Sequence, residues 1–406
     1  MTSATVEVEP ACPEGSAAAP TLDSRVVPGP SLVAVRRPFD AIPAETWDRL
    51  ADRNPWATPF ARWAFQRAWW DAYGGYAHEQ TIVVVDRAAG PDADPVGIVP
   101  LMHRHELADP AIHTTMRHGS GMELTPISPT AKAVFFGASY HADYATILAA
   151  PQQLPAVAEA LVAALAAPAG LDPEHPEPWD VVDLRRLRCG DPTADALVAA
   201  FDGHGPQLGW RLDLEREDVC PVVTVASGAP DLDAFLATLG KKERHEIRRK
   251  IRRAEAAGPV ALSESSEPLA DLDAFIDLHQ RRWGADGLFP PTPGGDASRI
   301  FIRRLFETFG PGGAVRLCFL TIGGRRVAAG ITFEADDTMA YYNAGVDPEA
   351  RELSPGVLMI ARYVERAIAT GRRRLDLLRG DEAYKYEWGA LDEPIQRLLV
   401  RRTVDR

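Results

Sequence analysis

The chain has 406 residues and a mass of 44.2 kDa, more than one typical domain, so two packed domains are expected. Hydrophobic residues at 46% and charged residues at 25% are ordinary globular composition and give enough apolar surface for a large core. A formal net charge of −13 with a pI near 5.3 excludes a general polyanion binder, so any anion site must be local.

Residues 1–30 are rich in Ala, Pro, Ser, Gly and Glu, with little apolar surface to offset chain entropy, and are expected to form a disordered tail. A strand is expected at "SLVAVRR". The segments "ETWDRL" and "ARWAFQRAWWDAYGG" then carry aromatics at helical spacing, which reads as core. "TIVVVDR" and "PVGIVPLMHRH" read as a hairpin, "AVFFGA" as a strand, "PAVAEALVAALAA" as a helix and "WDVVDLRRL" as a strand.

The second half repeats this order. "AVRLCFLTI", the turn "GGRR" and "VAAGITFEADD" form a hairpin; "TMAYYNAGV" is a strand, "GVLMIARYVERAIATG" a helix and "RRLDLLRG" a last strand. A β-β-β-α-β unit occurring twice predicts two similar domains, with the boundary near "EREDVCPVVTVASGAP". The division is drawn at 31–225 and 226–406.

The segment richest in chemical signals is "YYNAGVDPEARELSPGVLMIARYVERAIATG". A strand ends at Val346, and a helix starts with Ser354 at the cap, Pro355 at its first position and Gly356 behind it. Exposed N–H groups and the helix dipole make such an end an anion site, a glycine there lets a phosphate approach the backbone, and Arg351 would add a charge-assisted contact. The alternative is an ordinary capped helix with a solvated Arg351. Its place after a central strand favours a ligand, because open α/β sheets bind at the carboxyl ends of their strands.

Arg351, Ser354 and Gly356, as R-x-x-S-P-G between strand and helix, resemble the acyl-CoA pyrophosphate loop of GNAT-fold N-acyltransferases, with Ser354 where that loop usually has glycine. "LDLLRGDEAYKYEWGA", "LGKKERHEIRRKIRRAEAAG" and "FIDLHQRRWG" are similar to the CelD-type acetyltransferases linked to bacterial cellulose biosynthesis, a branch related to the FemABX aminoacyltransferases. The resemblance covers most of Asp231 to Arg401, with weaker echoes in "WDRL" and "HADYATIL". It implies an α/β fold of two tandem GNAT-like domains with mixed central sheets, the first degenerate because it lacks the loop, the second a GNAT-type N-acetyltransferase. Acetyl-CoA or another acyl-CoA would be the co-substrate. The implied function is transfer of an acyl group, expected to be acetyl, to an amino group of a sugar or cell-envelope precursor, with nucleotide-linked sugars among the small-molecule acceptors.

The same resemblance directs attention to particular side chains. Tyr342 and Asn343 lie on the strand beside the expected thioester carbonyl, as cofactor contacts or as strand packing. Tyr384 follows the last core strand where such enzymes often place the acid that protonates the thiolate; it is equally an amphipathic edge aromatic. Asp376 is a lone acid in an apolar strand, either a general base or the buried partner of Arg379 or Lys385. His279 is a base or a structural helix histidine; Arg282 and Trp283 line an acceptor cleft or pack; Asp381 and Lys385 are family positions without a derivable role, assigned to substrate binding.

The helix opening the second copy, "GKKERHEIRRKIRRAEAAG", buries Leu236, Leu239, Ile247, Ile251 and Ala254 and turns Arg244, Arg248 and Arg252 outward, with Arg249 and Arg253 alongside and Glu246 able to pair with Lys250. Arg248 and Arg252 are candidates for substrate phosphates; a solvated basic face is the plainer reading. A broad basic surface would instead suit a FemABX-like aminoacyltransferase that uses aminoacyl-tRNA. A non-catalytic polysaccharide-assembly binding protein is a third reading.

Cys12, Cys189, Cys220 and Cys318 follow no metal or disulfide spacing, and His103, His105, His113 and His118 lack an acidic partner at ligand spacing, so no metal is expected. The N-terminus has no signal-peptide pattern, and no apolar run reaches the roughly 18 to 20 residues of a membrane helix, so a cytoplasmic protein without membrane insertion is expected.

Overall fold

The computed structural model describes residues 32–104, 123–167, 179–226 and 228–402. The tail expected at 1–30, and His105, His113 and His118, lie outside the described residues.

The first half runs β1 (Leu32–Arg36), α1 (Ala44–Asp52), α2 (Trp63–Tyr73), β2 (His78–Glu79), β3 (Ile82–Asp86), β4 (Gly97–Val99), β5 (Leu101–Arg104), β6 (Ala133–Phe136), β7 (Leu148–Ala149), α3 (Leu154–Ala166), β8 (Val181–Arg188), α4 (Pro192–Leu208) and β9 (Trp210–Thr224). The second runs α5 (Leu232–Ala237), α6 (Lys241–Ala257), β10 (Val260–Glu264), α7 (Pro268–Trp283), α8 (Pro293–Phe309), β11 (Val315–Ile322), β12 (Arg325–Ala335), β13 (Thr338–Val346), α9 (Pro355–Ala369), β14 (Arg374–Asp376), α10 (Ala383–Tyr386) and β15 (Leu391–Arg402). Every quoted strand and helix of the repeat is present.

The predicted hairpin of the first half is split by Pro100. β3 and β4 pair in a four-stranded sheet ordered β1-β3-β4-β7, while β5 belongs to the large sheet. Proline has no N–H for a ladder, and the Pro100 carbonyl instead accepts from Gly137 N–H at 2.8 Å.

The large sheet has eleven strands, β10-β11-β12-β13-β14-β9-β15-β8-β6-β5-β2. It is mixed: β6–β8 and β13–β14 pair in parallel, each across a helix, α3 or α9, and the other pairs are antiparallel. These two strand–helix–strand units are the repeat seen in the sequence. The halves exchange their closing strands: β9, at the end of the first half, pairs with β14 of the second, and β15, at the end of the second, pairs with β8 of the first. β9 and β15 pair with each other along twelve residues, so "EREDVCPVVT", read as the domain boundary, is part of the longest strand of the sheet.

The tryptophan-rich helices are core as expected: Trp47 and Trp69 are buried, and Phe65 and Trp69 of α2 share one apolar cluster with Phe301 of α8 and Phe333 of β12. Phe65 meets Phe301 edge-on at 5.5 Å, tying the halves together on this face. Of the described cysteines, Cys220 and Cys318 are buried and free.

Candidate active site

The site begins with a break in regular pairing. β13 and β14 are in parallel register only from Thr338–Arg374 to Ala340–Asp376, and beyond these pairs they diverge. At the same level the β12–β13 register shifts: Ile331 faces Asn343 while Thr332 faces Tyr341, which leaves Tyr342 as the extra residue of a bulge. A bulge bends its strand and re-aims the side chains, and here it lies where β13 leaves β14.

The opening is a cavity of approximately 310 Å³. Tyr341, Tyr342, Asn343 and Ala344 line it from β13, Leu377, Leu378 and Arg379 from the continuation of β14, Arg282 and Trp283 from the end of α7, and Glu382, Tyr384 and Lys385 from α10 and the turn before it. The first half contributes Tyr140, His141 and Asp143. The cavity therefore lies at the carboxyl ends of two parallel strands, with a wall supplied by the other half.

Its charges are mostly paired. Arg379 Nε donates to Asp143 Oδ1 at 3.0 Å, and Lys385 Nζ lies 2.9 Å from Glu382 Oε2. Lys385 is buried and also donates to the carbonyls of Leu378, Arg379 and Gly380 at 2.8, 2.9 and 2.9 Å, so it fastens the turn after β14. Arg282 lies over the Trp283 ring at 4.5 Å and has no carboxylate partner among the described residues.

Tyr384 is 40% exposed at the cavity rim, and desolvation, with the Glu382 carboxylate nearby, pushes its phenol up to about 12. The raised value keeps the phenol protonated, so Tyr384 carries a proton at the rim of the cavity. Tyr341 and Tyr342 are also raised by burial; the Tyr342 hydroxyl donates to the His141 carbonyl at 3.0 Å. His141 accepts from Trp69 Nε1 at its Nδ1, 3.0 Å away, and stacks on Tyr73.

Asp376 is buried behind the cavity wall and paired with neither Arg379 nor Lys385. It accepts from the Tyr144 hydroxyl at 2.7 Å and from Leu378 N–H at 2.8 Å, and burial raises its pKa to about 6. His279 is fully buried against Phe275 and Phe289, outside the cavity lining, and burial lowers its pKa to about 4. α7 reaches β13 this closely because residue 345 is glycine: a Cβ there would lie 2.4 Å from His279 N. Asp381 is exposed and outside the lining.

Farther along β13, a 3₁₀ turn, Pro348–Leu353, leads to Ser354, which caps α9 in the left-handed conformation at φ 53°. The Ser354 side chain makes no capping bond; its Oγ accepts from Arg253 Nη2 of α6 at 2.7 Å. A side chain at Gly356 would meet nothing within 4 Å, so the first turn of α9 is open, and Arg351 is exposed beside it. The basic helix and the helix start, separate signals in the sequence, thus meet at Arg253–Ser354. Elsewhere on α6 three cations are paired: Arg248 binds Asp233 at 2.8 Å, Arg249 binds Glu246 at 2.6 Å, and Lys250 sits between Glu246 and Glu387. Arg252 is exposed without an ion-pair partner among the described residues.

Sequence reading missed Tyr140, His141, Asp143, Arg253, Arg379 and Glu382 as site residues. The polar and aromatic run "YHADY" after an apolar strand was the available signal for the first three, at the place in the first copy that "YYNAG" occupies in the second.

Among the described residues no group of three or more His, Cys, Asp or Glu side chains is placed to hold a metal ion, and no helix is long and apolar enough to cross a membrane.

Residues 241–386, within the second half, match the profile of the acetyltransferase (GNAT) domain. The fold as a whole is similar to the crystal structure of FemX, with a TM-score of 0.53 and 12% identity over 87% of this chain and 96% of that one. It is also similar to a conserved protein of unknown function from Bacteroides thetaiotaomicron, with a TM-score of 0.51 and 12% identity over 89% and 98%. At such identity the likeness is one of fold. No curated protein sequence matches the chain.

Proposed function

We propose that the cavity between β13 and β14 binds an acyl-CoA thioester and transfers its acyl group to an amine. The observation that carries this reading is the divergence of the two parallel strands at the Tyr342 bulge, with a cavity between them. The pyrophosphate would lie at the open first turn of α9, contacted by Arg253, Ser354 and the Gly356 backbone, with Arg351 beside it. The acyl arm would follow β13 past Tyr342 and Asn343.

In this arrangement the amine attacks the thioester carbonyl carbon, forming the C–N bond, and backbone N–H groups of the β13 bulge stabilise the oxyanion. Glu382, at the rim beside Tyr384, takes the amine proton. The C–S bond breaks and Tyr384 gives its proton to the thiolate. Arg282, whose charge nothing in the lining offsets, suits an acceptor with a phosphate or carboxylate near its amine. A nucleotide-linked amino sugar has that chemistry, in keeping with the resemblance of the α6, α7 and 376–390 segments to CelD-type acetyltransferases.

An aminoacyl-tRNA donor is favoured by one observation, the exposed Lys241, Lys242 and Arg252 on α6. Against it, Arg248, Arg249 and Lys250 are occupied by carboxylates, which leaves a narrow cationic strip and not a broad surface. Calorimetric titration of the full chain with acetyl-CoA and, separately, with bulk tRNA at low and moderate salt distinguishes the donors. The proposal expects saturable acetyl-CoA binding. Binding of tRNA alone, falling steeply with salt, would replace it with the aminoacyl-tRNA reading.

A further inference from the structure

The first half lacks the R-x-x-S-P-G loop, yet three of its residues within the run 141–144 hold both walls of the cavity in the second. On the β13 side the His141 carbonyl accepts from the Tyr342 hydroxyl at 3.0 Å. On the β14 side Asp143 accepts from Arg379 Nε at 3.0 Å, and the Tyr144 hydroxyl donates to Asp376 Oδ2 at 2.7 Å. These contacts fall at Asp376, the last residue of β14 paired with β13, and beyond it, where the two strands part.

The β14 wall needs such support. Leu378 is a non-glycine residue in the left-handed region, φ 54°, a conformation that persists only when its surroundings fix it. Its N–H is bound by Asp376 Oδ1, and Asp376 is in turn held by Tyr144. Tyr144 is itself immobilised by the first half: Arg188 lies over its ring at 4.8 Å, Phe60 packs beside it, and the next residue, Ala145, donates its N–H to the Arg186 carbonyl at 2.9 Å.

We infer that His141–Tyr144 is a spacer that sets the separation of β13 and β14, with Tyr144 a positioning residue that acts on the cavity through Asp376 and the Leu378 turn. The first half would then take part in acyl transfer by fixing the width of the site in the second. The spacer role stands independently of the ligand; its effect on acyl-CoA rests on the proposed function.

Hydrogen–deuterium exchange of the full chain tests the spacer directly. In Tyr144→Phe the amides of 376–380 should exchange at least about tenfold faster than in the wild type, while β11 and β12 stay unchanged. Asp376→Ala adds no bulk, removes both hydrogen bonds and takes away the buried carboxyl; it should give the same local acceleration and serves if Tyr144→Phe fails to fold. Unchanged exchange at 376–380 in a folded variant overturns the inference. The second arm compares ligands on Tyr144→Phe: acetyl-CoA affinity should fall at least about fivefold, while adenosine 3′,5′-bisphosphate, which lacks the acyl arm, binds as to the wild type. Equal acetyl-CoA affinity would overturn the effect on the site. A wild-type protein that binds no acetyl-CoA would defeat the proposed function and leave the exchange result to decide the spacer.

Discussion

Arg253 of the basic helix donates to Ser354 Oγ at 2.7 Å, joining α6 to the cap of α9 across 101 positions of sequence. Ser354 therefore holds an arginine at the place where the proposed pyrophosphate would need one. A guanidinium lost from a phosphate contact costs about 1.5–3 kcal/mol. Arg253→Ala should weaken acetyl-CoA binding about tenfold or more by calorimetry, whereas Arg249→Ala, whose guanidinium is taken by Glu246, should leave it unchanged.

Gly345 allows α7 to lie against β13, and a Cβ at that position would come within 2.4 Å of one backbone atom of α7 and 2.6 Å of another. Neither is the flexible end of a side chain, so the helix itself would have to shift. Gly345→Ala should destabilise the fold by about 1–3 kcal/mol in urea unfolding. A loss under about 0.5 kcal/mol would mean that the α7 contact is looser than described.

His279 separates a catalytic from a structural role by its pH behaviour. Folded, it titrates at about 4 because it is buried; its ordinary value is 6.5. The unfolded chain binds the extra proton between these values, so the group's contribution to stability is full above pH 6.5 and is lost as pH falls towards 4, by about 3 kcal/mol. His279→Leu should lack this component and still bind acetyl-CoA. Loss of binding in a folded His279→Leu would return the residue to the active site.

Asp376 has the opposite sign. Its pKa is raised to about 6 from 3.8, so the folded protein binds the extra proton between these values, and stability from this group declines as pH rises from about 4 to 6. Above pH 6 the buried carboxylate costs about 3 kcal/mol relative to its neutral form. Asp376→Asn keeps an oxygen for Leu378 N–H, and should be more stable than the wild type at pH 8, with the difference shrinking towards pH 4. Thermal melting across that range is the check; a variant less stable at every pH would show that the carboxylate's hydrogen bonds outweigh its desolvation.

Most of the elements could be read from local pattern, and the exceptions have a common cause. Strand β9 carries "EREDV", which looks like a polar linker because its partners lie far away in the chain. Glu215 binds Arg397 at 2.9 Å, and Asp213 binds Arg401, both on β15, while Arg397 is fully buried with Asp183 of β8. The charges that disguise the strand are those that fasten the exchanged strands together. In the site, Tyr342, Asn343, Trp283 and Tyr384 could be found because they adjoin quoted strands and helices. The run "YHADY" marked Asp143 and Tyr144 only as polar residues after a strand, because their roles depend on Arg379 and Asp376, more than 230 positions away. Lys385 was legible as a position but not as a clamp on three carbonyls, since an unpaired lysine and a buried one look alike in sequence.

The central claim is that the diverging strands hold the acyl thioester, and a crystal structure of the acetyl-CoA complex tests it most directly. The account predicts density between β13 and β14, with the thioester at the Tyr342–Asn343 backbone, the pyrophosphate at the first turn of α9 and the Tyr384 hydroxyl within reach of the sulfur. Acetyl-CoA bound elsewhere, with the cavity empty and Arg253 still on Ser354, would contradict it.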